Sequence, residues 1–424
     1  MLMIKMKDSK IEWIGQIPEN WKIIPIYTCT SEVTQKNSDL KEKRALKFTY
    51  GNIVDKTNFN IDEDSSLTQT ASNYLVVKPN DIVINGLNLN YDFITQRVGM
   101  VKKNGIITSA YMGIRPNQDD IIPKYLLYLF KTYDAEKAFH NMGGGVRKIL
   151  NYSELKKEKM ILPSLLQQQT IADFLDKKCT EIDELSTKIQ QEILDLKEYQ
   201  KSLIYEMTTK GLSNDNLVDS PIPFFKKVNK NWSITKIGHI CTKLNRTFNA
   251  NSPALLCSNN GKVIYRPEAM KGKMLSEDHA MQGIHQGDIA IHGMDTWHGA
   301  IALSNYNGKI TRVVHVCQST EDNRFIVYYL QTLAYLGVYK LISNGVRGNT
   351  SDFRSWNKVK NIPIPIPSRK EQQDICDYLD KVNQNIENIL DMKQQILSKI
   401  AKYINSLIYE YVTGKKQVPN LGEK

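Results

Sequence analysis

Two long stretches of this chain repeat apolar residues at three- and four-residue steps, the spacing that lines one face of an α-helix. In the first the stripe runs through Ile182, Leu185, Ile189, Leu196, Tyr199 and Leu203; in the second through Ile386, Ile389, Ile396, Ile400, Tyr403 and Leu407. Each stretch starts with a capping-box pair, Ser164 with Gln167 and Ser368 with Glu371, placed directly after Pro163 or Pro367. A capping side chain satisfies N–H groups that a helix start leaves bare, and a proline before it discourages helix upstream. No Gly or Pro follows until Gly211 and Gly414. The spacing therefore predicts two helices of about forty residues, roughly 60 Å each at 1.5 Å per residue. Their near-heptad stripes suit pairing as a coiled coil.

The two stretches are also copies. Pro163-Ser164 recurs as Pro367-Ser368, 204 residues later, and Gln168-Gln169 recurs at the same distance as Gln372-Gln373. Leu175-Asp176-Lys177 recurs as Leu379-Asp380-Lys381, and Ser202 to Glu206 as Ser406 to Glu410. The register never slips, as expected of a continuous helix, which tolerates insertions less well than a loop does.

The segments upstream of each helix echo one another more faintly. Pro79-Asn80-Asp81 leads into Ile82-Val83-Ile84, and Gln286-Gly287-Asp288 into Ile289-Ala290-Ile291. In both, a turn enters a short strand and a glycine, Gly86 or Gly293, follows. Asn104-Gly105 and Asn307-Gly308 read as hairpin turns. An aromatic-rich helix is expected over Tyr125 to Tyr133 and again over Phe325 to Tyr335, followed by Gly145-Val146-Arg147 and Gly345-Val346-Arg347. The pattern predicts an α+β protein with a pseudo-two-fold internal repeat. On this pattern residues 1–162 and 212–366 are expected to form two similar domains, and residues 163–211 and 367–424 to carry the long helices and a tail.

Charge sharpens this picture. The net charge is +11, yet residues 164–210 hold six Lys against nine acidic residues and residues 368–415 hold seven basic against seven acidic. The positive excess thus sits outside the helices, where a polyanion would be met. The six cysteines, Cys29, Cys179, Cys241, Cys257, Cys317 and Cys376, are scattered without a CxxC pair, which fits a reducing cytoplasm rather than zinc or disulfides. No apolar run is long enough to span a membrane.

This ordered set of features resembles the specificity subunit of type I restriction–modification systems. The resemblance is carried by the tandem variable regions, the repeated helices, the opening Gly15-Gln16-Ile17-Pro18-Glu19-Asn20-Trp21 with its partner Asn231-Trp232, and the Pro-Ser…Gln-Gln segments. One departure is that the second opening, Asp219 to Trp232, lacks the Ile-Gly-x-Ile-Pro run of the first. The resemblance implies that each domain reads one short half of a bipartite duplex DNA site and that paired antiparallel helices set the gap between the halves. It implies two modification subunits that methylate adenine and restriction subunits that translocate and cut DNA. S-adenosylmethionine, ATP and Mg would then belong to those partners, and this chain would carry no cofactor and no catalysis.

Catalytic motifs are indeed missing from the sequence: no GxxxxGK[ST] loop, no Asn/Asp-Pro-Pro-Tyr/Phe run, and no GxGxxG turn between strand and helix. His285, His292 and His298 follow steps that suit no common metal site. A free-standing DNA-binding protein of the same descent, or an enzyme with an unrecognised site, are the competing readings. For DNA contact the candidates are Lys36, Asn37, Asn88, Asn90, Arg147 and Lys148 in the first domain. In the second they are Arg246, Arg266, Lys271, Lys273, Trp297, His298, Arg347, Asn349 and Thr350. Arg, Lys, Asn and Gln read base edges or grip phosphate. Arg147 and Arg347, shared between copies, suit phosphate. The repeated polar positions Tyr199, Ser202, Tyr205 and Glu206, and Tyr403, Ser406, Tyr409 and Glu410, are expected to dock the modification subunits, since core packing alone does not require them to match.

Overall fold

The computed structural model describes residues 5–93, 96–142, 148–213, 215–267, 280–343 and 353–419. The chain parts into two compact units: Met1–Ile189 together with Gln395–Lys424, and Gln190–Gln394. Each unit is thus built from one variable region, part of one long helix and part of the other.

In the first unit, β1 (Thr30–Glu32), β2 (Ile82–Ile84), β3 (Val98–Met100) and β4 (Met112–Pro116) form a four-stranded sheet in the order β1-β4-β2-β3. All its pairings are antiparallel. β2 is apolar and buried at all three positions because it is one of the two inner strands, the one that pairs with β3. The helix α1 (Pro123–Ala135) begins with proline at its first turn and buries Tyr125, Leu126, Leu129, Phe130 and Tyr133 against the sheet side. The long helix α2 (Leu165–Thr209) then begins at the expected Ser164, whose Oγ accepts from Gln167 N at 3.4 Å.

The second unit repeats the arrangement. β5 (Cys241–Lys243), β6 (Ile289–His292), β7 (Ile301–Leu303) and β8 (Val314–Ser319) pair in the order β5-β8-β6-β7, the same order with the same directions. The helix α3 (Asn323–Tyr335) covers it, capped by Asp322, and α4 (Arg369–Val412) is the second long helix.

Within each unit the two long helices pack antiparallel. In the first, Phe174 of α2 meets Tyr411 of α4 with ring centroids 4.5 Å apart. In the second, Glu192 pairs with Lys393 while Gln200 Nε2 donates to Asn383 Oδ1 at 3.1 Å, so one helix rises as the other falls. Both end on a left-handed glycine, Gly211 (φ +86°) and Gly414 (φ +73°), a conformation a side chain would strain. There the helix ends are seated on an opening tryptophan. A Cβ on Gly211 would lie 3.0 Å from Trp232, and one on Gly414 would lie 2.9 Å from Trp21. The first variable region is therefore closed by the end of α4, whose Val412 carbonyl accepts from Tyr125 Oη at 3.2 Å.

Candidate DNA interface

The loop that follows the inner strand is the place where sequence candidates gather. In the first unit Asn88 is exposed and Asn90 half-buried on the connection from β2 to β3, and exposed Lys148 lies beside them, since Leu89 N donates to the Lys148 carbonyl at 3.1 Å. Gly86 makes this approach feasible: a Cβ there would sit 2.3 Å from the Leu150 carbonyl oxygen. Leu150 N in turn donates to Gly86 O at 3.0 Å. Tyr91 and Phe93, 75% and 54% exposed, stand on the same loop. Sequence patterning gave no warning of them, because an isolated aromatic in a loop has no periodicity.

Lys36 lies on a different segment, exposed at a bridge to Leu75. Asn37 next to it is corrected to a structural role. It is 1% exposed, its Nδ2 donates to Glu42 O at 2.8 Å and its Oδ1 accepts from Glu42 N at 3.1 Å, which leaves no edge to offer a base.

In the second unit the equivalent loop, residues 293–300, carries Trp297 and His298. His298 is exposed. Trp297 is half-buried: Nε1 donates to Ser343 Oγ at 3.2 Å and Lys340 Nζ lies 5.9 Å from its ring. Gly293 repeats the close approach of Gly86, a Cβ there meeting Arg354 Cα at 2.9 Å. Arg354, exposed and donating from Nη2 to Met294 Sδ at 2.8 Å, is thereby a cation of this loop that sequence reading missed. Arg266 is half-buried directly after the hairpin of residues 255–265, its backbone N–H donating to Ala254 O at 2.9 Å. Arg147, Lys271, Lys273, Arg347, Asn349 and Thr350 lie outside the described residues.

Arg246 also needs correction as a candidate for DNA contact. Its Nε and Nη2 donate to Asp288 Oδ2 and Oδ1 at 2.7 and 2.9 Å, and the Asp288 side chain is 0% exposed. The hydrogen bond to Asp288 raises the guanidinium further above its usual pKa. A fork spent on a buried carboxylate cannot also grip a base without stranding that charge.

The repeated docking candidates divide by exposure. Tyr199 and Tyr403 are 54% and 56% exposed, and Ser202 and Ser406 are exposed too. The other four are half-buried and engaged inside their own unit. Tyr205 packs on Phe225, and Tyr409 Oη donates to Trp13 O at 3.0 Å. Glu206 pairs with Lys210 at 3.1 Å and Glu410 with Lys416 at 2.7 Å.

Among the described residues no cluster of His, Cys, Asp and Glu is placed to hold a metal, and no helix is long and apolar enough to cross a membrane.

Two tandem units of the same strand order, each with its own loop chemistry, are what the family comparison then explains. Residues 31–195 and 229–398 each match the family described as type I restriction modification DNA specificity domain. The chain belongs to that family. Specificity subunits are the non-catalytic, DNA-recognition component of these systems. Among curated relatives, the chain is 23% identical to the putative type I restriction enzyme MjaX specificity subunit of Methanocaldococcus jannaschii, over 98% of both chains. It is 21% identical to the type I restriction enzyme MjaVIII specificity subunit of the same organism, over 96% of this chain and 95% of that one. A chain in a solved structure described as the basis of complex assembly and conformational transition of the type I R-M system shares the fold. Its TM-score is 0.68 at 14% identity, covering 94% of this chain and 99% of that one.

Proposed function

We propose that this member of the specificity family reads a bipartite site in duplex DNA, one half with each unit, and directs adenine methylation and restriction by partner subunits in the cytoplasm. The single observation that carries the reading is a sheet built twice with identical strand order, whose inner strand leads each time into a loop of different composition. A common scaffold with divergent loops is what two readers of different sequences require. Asn88, Asn90 and Lys148 serve the first half-site; Arg266, Trp297, His298 and Arg354 serve the second. Arg147, Lys271, Lys273, Arg347, Asn349 and Thr350, which lie outside the described residues, remain candidates for DNA contact on the grounds of their side-chain chemistry. The recognition domains are residues 1–162 and 212–366.

Two modification subunits dock on the repeated helix ends, through Tyr199 and Ser202 on one and Tyr403 and Ser406 on the other. S-adenosylmethionine, ATP and Mg belong to the modification and restriction subunits, and this chain holds no cofactor.

The test is a swap. Replacing residues 12–150 by the corresponding part of a relative, with the partner subunits present, should change one half of the methylated motif and leave the other half intact, as read by methylome sequencing. A swap that alters both halves sinks the two-reader scheme.

A further inference from the structure

The described part of the connection from β2 to β3, residues 85–93 with 96 and 97, is built around a buried cation. Arg97 is 0% exposed. Its Nη1 donates to the carbonyls of Asn85 and Leu87 at 2.9 and 2.7 Å, and its Nη2 donates to the carbonyl of Asp92 at 2.7 Å. The Asp92 carboxylate lies 3.6 Å from Nη2. The arginine's own backbone N–H donates to Asp134 Oδ2 at 2.7 Å, which ties the pin to α1. His140 Nε2 adds a second bond to the Asp92 carbonyl at 3.1 Å, and its ring stacks on Phe93 at 4.8 Å.

A guanidinium is a flat fork of N–H donors, so three carbonyls bonded to it are fixed in place together; a lysine ammonium is a point charge on a flexible stem and cannot reproduce that. What the pin leaves facing solvent is specific in kind. Asn88, exposed and held at φ +55°, offers an amide suited to a base edge. Tyr91 offers an unsheltered ring, and rings at such tips stack on bases or wedge between them. Lys148 supplies the charge that phosphate needs. In the second unit no arginine among the described residues donates to the loop carbonyls in this way. That unit's shorter loop is closed by its own backbone and by His292 Nδ1, which accepts from Asp295 N at 3.1 Å.

We propose that Arg97 is a positioning residue for DNA recognition by the first unit: buried and out of reach of DNA, it holds the Asn85–Asp92 loop in the one shape that presents Asn88 and Tyr91 to the bases. This rests on the two-reader function above and goes beyond it by assigning specificity to a residue that touches no nucleotide.

The test expresses the full chain with its partner subunits in a host and reads the methylated motif for the wild type, R97K, R97M, N88A and Y91A. The half-site of the first unit is identified by the 12–150 swap. R97K and R97M should each relax base preference in that half-site by roughly tenfold, the scale of one lost bidentate base contact, while the other half-site keeps its sequence. N88A and Y91A, which remove exposed side chains from the loop, should weaken the same half-site. A wild-type motif from R97K overturns the inference, and so does equal relaxation of both half-sites. If the Arg97 variants do not accumulate, a first half-site unaffected by both N88A and Y91A overturns it. A wild-type chain that yields no bipartite motif would overturn the function itself, whereas a bipartite motif indifferent to Arg97 removes only this inference.

Discussion

Asp81 and Asp288 stand at the same place in the two units, in the turn that enters the inner strand, and each is neutralised by a different route. The turns match in detail. The residue before each aspartate is left-handed, Asn80 at φ +75° and Gly287 at φ +87°, and each carboxylate accepts a backbone N–H three residues back, from Lys78 or His285, at 2.8 Å. In the first unit the compensating fork is Arg115 on β4, bonded at 2.8 and 2.7 Å. By strand register the equivalent position in the second unit is Gln318 on β8, whose Nε2 gives Asp288 one neutral bond at 3.0 Å. The charge comes instead from Arg246, beyond β5. What is held in common is the buried carboxylate and its charge balance, because an unpaired buried charge costs several kcal/mol. Which residue supplies the partner is free to drift.

The largest effect should come from breaking that balance unequally. R115M leaves Asp81 with only the Lys78 N–H among its described partners and should cost about 3 kcal/mol of stability. R246M leaves Asp288 with both Gln318 Nε2 and the His285 N–H and should cost about 1 kcal/mol less, since a hydrogen bond to a charged group recovers part of the loss. Urea unfolding of the two variants measures the difference. Equal losses would show that the second unit's extra amide does not compensate.

A smaller effect separates the units by pH. Register places His315 in the second unit where the first has Met112, opposite Ile291 and Ile84 respectively. His315 is 1% exposed, its Nε2 donates to Phe353 O at 2.7 Å, and burial pushes its pKa below the ordinary value. His292 is lowered by burial as well. A histidine held neutral in the fold leaves stability whole above its unfolded pKa of about 6.5, and stability falls as pH drops below that value toward the depressed folded pKa. The full chain should therefore lose stability as pH falls below about 6.5, and H315M should flatten part of that slope. Thermal melts across this range check it, and an unchanged slope in H315M would place the dependence elsewhere.

The smallest effect concerns the two opening tryptophans. Trp232 Nε1 donates to Glu371 Oε2 at 3.1 Å, whereas Trp21 Nε1 is buried without a hydrogen-bond partner among the described residues. At the position equivalent to Glu371 the first copy has Gln167, whose Oε1 accepts from Ser164 Oγ at 3.2 Å. W232F should cost about 1 kcal/mol more than W21F, the worth of one such bond. Matched losses in urea unfolding would mean that ring packing alone sets the value of both.

Much of this protein was legible in its sequence. The capping boxes, the terminal glycines and the turns before the inner strands are local signals, each written within a few residues, and the ungapped repeat shows each of them twice; the structure places a helix or strand at each of them. That local chemistry also pointed to Asn88, Asn90 and Lys148, which the fold brings together. Partners set at long range were not legible. Arg115 and Asp81 are 34 residues apart, Arg246 and Asp288 are 42, and Tyr409 reaches Trp13 across 396. An arginine in a loop looks the same in sequence whether it faces water, as Arg354 does, or fills the interior, as Arg97 does. By itself, then, the sequence determined that there are two copies of one design and two long helices, because periodicity and caps act over neighbouring residues. Only the tertiary structure decided that the end of the second helix closes the first unit, and which cations are spent on buried oxygens, because those outcomes depend on which distant groups must be paired once water is excluded.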